Sequence, residues 1–258
     1  MDKQHIASCF SKAALTYDKH AVIQRRVAEA LSVLIEKHKS LLDLPVTGIC
    51  DLGCGTGFLT EYLCRRFPAS QILATDIAPE MLEQCLLKLG HYTNLNVCIH
   101  DADLSELPQT FDFVTSNLAL QWVNLIASLP LIWRSTAKCL CFSVLCDGTF
   151  VEWRDLFAHF NVPDPVISFI GFEALKQILA QLTGVKQVVM QQAQLKQDFV
   201  DVLSFLRHLK AIGAHYSPHV KQNDVLASAS GLRRMVKFGV NPEGFSLTYQ
   251  VAYCLLTK

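Results

Sequence analysis

Apolar runs of strand length alternate with helix-length amphipathic stretches through the first half of the chain. Residues 49–52, 71–76, 97–100, 111–116 and 139–145 read as buried strands. Between them, 58–66 and 79–90 carry apolar residues at helical spacing, with Met81, Leu82, Cys85 and Leu89 facing inward. The first of these helices stops before Pro68 and the second opens at Pro79, as proline sterics require. Strands alternating with helices predict an α/β fold, a doubly wound, mostly parallel sheet with helices on both faces.

The flanks extend this frame. Residues 10–42 follow a helical pattern through Ile23, Val27, Leu31 and Leu34, although the segment 10–18 at its start shows no strong period; Pro45 marks the entry to the first strand. Residues 150–184 form an apolar, helix-patterned connection of the length that often makes a lid over a substrate pocket. Residues 185–190 read as a sixth strand. Asp198 is placed to cap a helix whose Phe199, Leu203, Leu206 and Leu209 face the core and whose end is Gly213. Residues 246–256 read as a long strand at the sheet edge. No repeat or linker interrupts the pattern, so a single domain over 1–258 is expected, with an N-terminal helical segment at 1–44 and a lid at about 150–184.

The chemistry centres on residues 49–60, Ile-Cys-Asp-Leu-Gly-Cys-Gly-Thr-Gly-Phe-Leu-Thr, which read as strand, glycine turn and helix start. Gly53, Gly55 and Gly57 let the backbone turn where a Cβ would forbid it and let a ligand lie against bare peptide. The spacing departs from the GxGxxG of nicotinamide-binding turns. Asp51 departs further: a carboxylate there repels a pyrophosphate but attracts the ammonium and sulfonium of S-adenosylmethionine. A glycine turn with no ligand is the plain alternative, and the downstream acids argue against it. Asp76, followed by Ile77, ends the second strand where a Rossmann-type sheet puts a carboxylate on ribose hydroxyls. Asp101 and Ala102 follow the third, placed to meet an adenine edge. Asn117 and Gln121 follow the fourth and are candidate pocket residues; helix capping and an exposed helix face are their ordinary alternatives, and Trp122 reads as core.

Composition narrows the class. The 258 residues are 51% hydrophobic and 18% charged, too apolar for disorder. Lys+Arg and Asp+Glu number 23 each, so net charge attracts neither nucleic acid nor a membrane. Residues 113–133 lack charge, but polar residues and Pro130 divide them, so they read as buried strand and helix. The start has no apolar signal core, and ten scattered cysteines without a CxxC pair fit a reducing compartment; a cytoplasmic protein without a metal site is expected.

The glycine turn with Asp76 and Asp101 resembles the class I S-adenosylmethionine-dependent methyltransferases. Four further blocks narrow the resemblance: Phe10-Ser-Lys-Ala-Ala-Leu-Thr-Tyr-Asp18 with Gln24, the run from Phe111-Asp to Ser116-Asn-Leu-Ala-Leu-Gln-Trp122, Leu209-Lys-Ala-Ile-Gly-Ala214, and Leu247-Thr-Tyr-Gln250. Together they are similar to the BioC family, the malonyl-acyl carrier protein O-methyltransferases of biotin synthesis. The resemblance implies a Rossmann-like seven-stranded sheet with a C-terminal antiparallel strand and a helical lid. It implies methyl transfer from S-adenosylmethionine to the free carboxylate of a malonyl thioester on acyl carrier protein or coenzyme A. Tyr17 then closes over donor and acceptor, Gln121 lines the pocket and Arg154 partners the malonyl carboxylate, a solvated arginine being its alternative. Arg207, Lys210, Arg233, Arg234 and Lys237 become candidates for docking an acidic carrier protein. The family's Lys/Arg-Pro-Gly-Gly turn is replaced by Arg134-Ser-Thr-Ala-Lys-Cys139. Methylation of another small carboxylic acid or a quinone precursor, and a cofactor-binding assembly or regulatory protein without transfer, remain the alternatives.

Overall fold

The computed structural model describes residues 2–42, 45–103, 106–160, 166–215 and 245–258. Strands β1 (Gly48–Leu52), β2 (Gln71–Asp76), β3 (Leu95–Ile99), β4 (Phe111–Asn117), β5 (Thr136–Leu145), β6 (Gln187–Phe199) and β7 (Phe245–Thr257) form one sheet in the order β3-β2-β1-β4-β5-β7-β6. The first five pair in parallel, and β7 runs antiparallel to both β5 and β6. The expected edge position of the last strand is therefore corrected: β7 is inserted between two partners and buried on both faces, and β6 forms the edge.

Alternation along the strands divides the core. Ile49, Phe113, Cys139 and Cys141 point to one face, where α2 (Val22–Lys37), α3 (Phe58–Arg66), α4 (Pro79–Leu89), α6 (Val151–His159) and α8 (Val202–Ala211) bury their apolar sides. Cys50, Val114, Leu140 and Phe142 point to the other, against α5 (Leu125–Arg134) and α7 (Phe172–Ala180). Eight of the ten cysteines are buried, seven of them in this packing.

The N-terminal region is two helices rather than one. The chain breaks at Ala21 between α1 (Lys3–His20) and α2, and the apparently aperiodic segment 10–18 belongs to α1. Its buried positions are Ile6, Cys9, Ala13 and Ala14, so small residues mark its inner face. Farther on, Asp198 and Phe199 belong to β6, paired with Ser246 and Phe245, and the helix cap is Asp201, whose carboxylate accepts the Ser204 N–H at 2.6 Å. Residues 150–184 do not pack as one unit: α6 lies on one face of the sheet and α7 on the other. The altered turn is a single residue, Ser135, joining α5 to β5. No described helix is long and apolar enough to cross a membrane.

Candidate active site

The sheet order reverses between β1 and β4, whose following segments leave in opposite directions and open a crevice at the strand ends. There a cavity, open at its mouth, is lined by Asp51, Gly53, Gly55, Asp76 and Ile77 from the first two strand ends and by Asp101, Ala102 and Asn117 from the next two. All the sequence-selected cofactor residues thus meet in one space. Gly53 has φ +68°, and a Cβ on it would lie 2.3 Å from that of Ala119, so no side chain fits there.

The acids differ in their surroundings. Asp51 is 1% exposed; its oxygens accept from Thr60 Oγ1 at 2.6 Å and Thr115 Oγ1 at 3.2 Å, yet burial pushes its pKa up to about 6. A cation beside it would favour the ionised form. Asp76 accepts the Gly55 N–H and the Ala78 N–H, each at 2.9 Å, which fixes its carboxylate across the turn; burial still raises its pKa against those bonds. Asp101 accepts the Asp103 N–H at 2.9 Å. Buried acid, fixed acid and bare glycine backbone together suit a ligand with a cationic end and ribose hydroxyls.

Helix α1 covers this cavity, and of that cover the sequence pointed only to Tyr17. Near its start, Lys3 Nζ donates to Trp122 O at 2.6 Å and pairs with Asp103 at 2.9 Å. Ser11 donates to Glu80 in its middle, and Asp18 at its end accepts from Thr56 of the glycine turn and pairs with Lys88 at 2.8 Å. Tyr17 is stacked on Phe58 at 6.1 Å and passes over Gly55. Burial and the nearby Asp76 and Asp18 push its phenol pKa well up, so it stays a neutral donor.

A second cavity abuts the first, and Phe10, Tyr17, Leu118 and Trp122 line both. Trp122, expected in the core, instead stands partly exposed at this shared wall, edge-on to Phe10 at 5.5 Å. Leu118 holds φ +48°, strained for a branched side chain, with its N–H donated to Ser143 Oγ at 3.1 Å. Phe150, Trp153 and Tyr249 form much of the outer wall, with Phe150 4.8 Å from Tyr249. Val166, Ile167 and Phe169 are the part of the expected lid that reaches this space along with Phe150 and Trp153.

The remaining sequence candidates divide. Gln121 lines the second cavity and donates Nε2 to Leu118 O at 2.5 Å. Asn117 also acts as a strut: Nδ2 donates to Gln24 O at 3.1 Å and Oδ1 accepts from Ser143 Oγ at 2.9 Å. Arg154 lines neither cavity; its Nη2 donates to Ile167 O at 3.0 Å, bracing the wall from behind. Of the basic cluster, Arg207 and Lys210 are exposed on α8, but His208 turns inward and burial lowers its pKa to about 4. Lys221, Arg233, Arg234 and Lys237 lie outside the described residues.

Residues 49–138 match the family model described as a methyltransferase domain. The chain is 31% identical to malonyl-(acyl-carrier protein) O-methyltransferase 2 of Ilyobacter polytropus, across 83% of this chain and 82% of that one. The chain belongs to the malonyl-(acyl-carrier protein) O-methyltransferase family. Another member, from Gallionella capsiferriformans, is 31% identical over 98% of this chain and 90% of its own length. The plantazolicin methyltransferase BpumL, solved in complex with SAH, superposes with a TM-score of 0.55 at 14% identity, covering 99% of this chain and 95% of that one, a likeness of fold alone.

Proposed function

We infer that this protein transfers the methyl group of S-adenosylmethionine to the free carboxylate of malonyl-acyl carrier protein, giving the methyl ester used in biotin synthesis. The observation that carries the reading is the pair of cavities, one acid-floored and one apolar, that meet at Tyr17 and Leu118. Asp51 neutralises the methionine end of the cofactor, Asp76 with Ile77 holds the ribose, and Asp101 with Ala102 meets the adenine. Gly53 and Gly55 let the cofactor approach the backbone, and Asn117 keeps β4 in register beneath it.

The cofactor supplies a methyl already activated on a sulfonium. A carboxylate acceptor is ionised at neutral pH, so none of these residues need act as a general base. Their work is alignment and exclusion of water, which strengthens the attraction between opposite charges that cancel as the reaction proceeds. Tyr17 closes over both reactants and Gln121 lines the acceptor side. Arg154 shapes the wall through Ile167, and a part for it in holding the carboxylate would need that bond to break.

The partner is malonyl-acyl carrier protein, with malonyl-coenzyme A as the alternative carrier, and the balanced net charge favours neither nucleic acid nor a membrane. Arg207 and Lys210 offer part of a basic surface for the acidic carrier, so turnover should fall as salt rises. The protein is placed in the cytoplasm, where its buried cysteines stay reduced.

Labelled S-adenosylmethionine with malonyl-acyl carrier protein, malonyl-coenzyme A and free malonate as parallel acceptors tests the assignment. Label in a base-labile ester of the carrier protein is expected. Cofactor binding without transfer to any acceptor would turn the assignment toward a binding protein.

A further inference from the structure

The acceptor cavity is walled mainly by apolar and aromatic side chains, yet two amide oxygens in that wall have no hydrogen-bond partner. Gln24 Oε1 and Gln121 Oε1 are shielded and unsatisfied, and both side chains line this cavity. The orientation of Gln121 is set by its Nε2, which donates to Leu118 O at 2.5 Å and leaves the oxygen as the free end. Gln24 lies in the first turn of α2, and its backbone carbonyl accepts Asn117 Nδ2 at 3.1 Å, so α2 and the end of β4 are tied together. A shielded acceptor without a partner is costly, and a donor that meets it as the side chain turns into the cavity relieves that cost.

The reacting end of a malonyl thioester has no donor to give. Its carboxylate is ionised and its thioester carbonyl only accepts, so both are repelled by an amide oxygen. The donors of the carrier-bound substrate lie on the pantetheine arm, two amide N–H groups and one hydroxyl, and the amide N–H nearest the thioester comes closest to the reacting end. We propose that Gln24 and Gln121 recognise that arm, their side-chain oxygens accepting hydrogen bonds from its amide N–H. This rests on the malonyl-thioester reading above and gives the acceptor a direction. The glutamines engage the arm, and their oxygens turn the carboxylate toward the wall shared by Tyr17 and Leu118.

The test uses the intact protein and two acceptors. One is malonyl-N-acetylcysteamine, which keeps an amide N–H; the other is its isostere with an ester oxygen in place of that N–H. Wild-type protein is expected to favour the amide acceptor in kcat/KM by at least about tenfold. This acceptor has one amide N–H, so at least one of Gln24→Met and Gln121→Met should bring that ratio toward one, whereas lost packing alone lowers both acceptors alike and preserves it. Calorimetric binding of S-adenosylmethionine reports that each variant is folded. Equal use of the two acceptors by wild-type protein, or a ratio that survives both substitutions, overturns the proposal. Failure of wild-type protein to methylate either acceptor or malonyl-acyl carrier protein overturns the reaction assigned above as well.

Discussion

The two cavities share a wall but are built on opposite principles. The cofactor side is polar at its floor, its acids standing at successive strand ends and fixed by Gly55, Ala78 and Thr60 close by in sequence and by Thr115 from the adjacent strand. The acceptor side is aromatic and long-range, joining Phe10 to Phe150, Trp153 and Tyr249. Charge is therefore handled where the backbone geometry is most constrained. Water exclusion is left to side-chain packing, which also carries stability. Substitutions on the two sides should fail differently.

The largest loss of stability is expected on the acceptor side. Trp153 is 1% exposed and packs 5.2 Å from Phe205 and 4.8 Å from Phe157, so Trp153→Ala should cost about 3–5 kcal/mol in denaturant unfolding. The molecules that remain folded should keep their cofactor affinity. Asp76→Ala should do the reverse, weakening S-adenosylmethionine about a hundredfold or more in calorimetry while the melting temperature stays near wild type. If Asp76→Ala unfolded the protein, or Trp153→Ala abolished cofactor binding, the division between the sides would fail.

A smaller effect follows from Asp51, whose carboxyl is pushed from its ordinary 3.8 to about 6 by burial. In the free protein the ionised form is disfavoured, a destabilisation absent below the unfolded value and fully present above about pH 6. A bound cation reverses that preference, so binding releases a proton, and affinity should weaken by up to about tenfold per unit as pH falls below 6. Calorimetry in two buffers of different ionisation enthalpy measures the proton; Asp51→Asn should bind weakly and without this slope. The smallest effect is expected at Asp18, whose pair with Lys88 is partly exposed and worth under about 1 kcal/mol. Asp18→Asn should chiefly speed cofactor release in stopped flow, because Asp18 also holds Thr56 of the glycine turn.

The same contrast explains what the sequence disclosed. Strand, glycine turn, helix and terminal acid lie close together from 48 to 76, and local geometry alone fixes how they meet, so the cofactor crevice could be read directly. Helix α1 hid its inner face because Cys9, Ala13 and Ala14 give little hydropathy contrast. Strand β6 runs well past the apolar residues 185–190 because its edge position tolerates the exposed Gln191, Gln192, Gln194 and Lys196. The helix cap slipped from Asp198 to Asp201 for the same reason: the strand runs on, paired with Phe245 at its last residue. Trp122 and Leu118 reach the shared wall through tertiary packing with Phe10 and Ser143, which no local pattern encodes. Arg154 shows the limit of reading an isolated charge, since its guanidinium is engaged by the Ile167 carbonyl behind the wall.

The central claim is that donor and acceptor approach each other from two cavities across Tyr17 and Leu118. A crystal structure with S-adenosylhomocysteine and a malonyl thioester bound together tests it most directly. The account predicts the homocysteine sulfur in the acid-floored cavity, the malonyl carboxylate facing it beside Tyr17 and Leu118, and the thioester arm among Gln24, Gln121 and the aromatic wall. A thioester bound away from the cavity lined by Phe150, Trp153 and Tyr249, or a carboxylate turned from the sulfur, would contradict it.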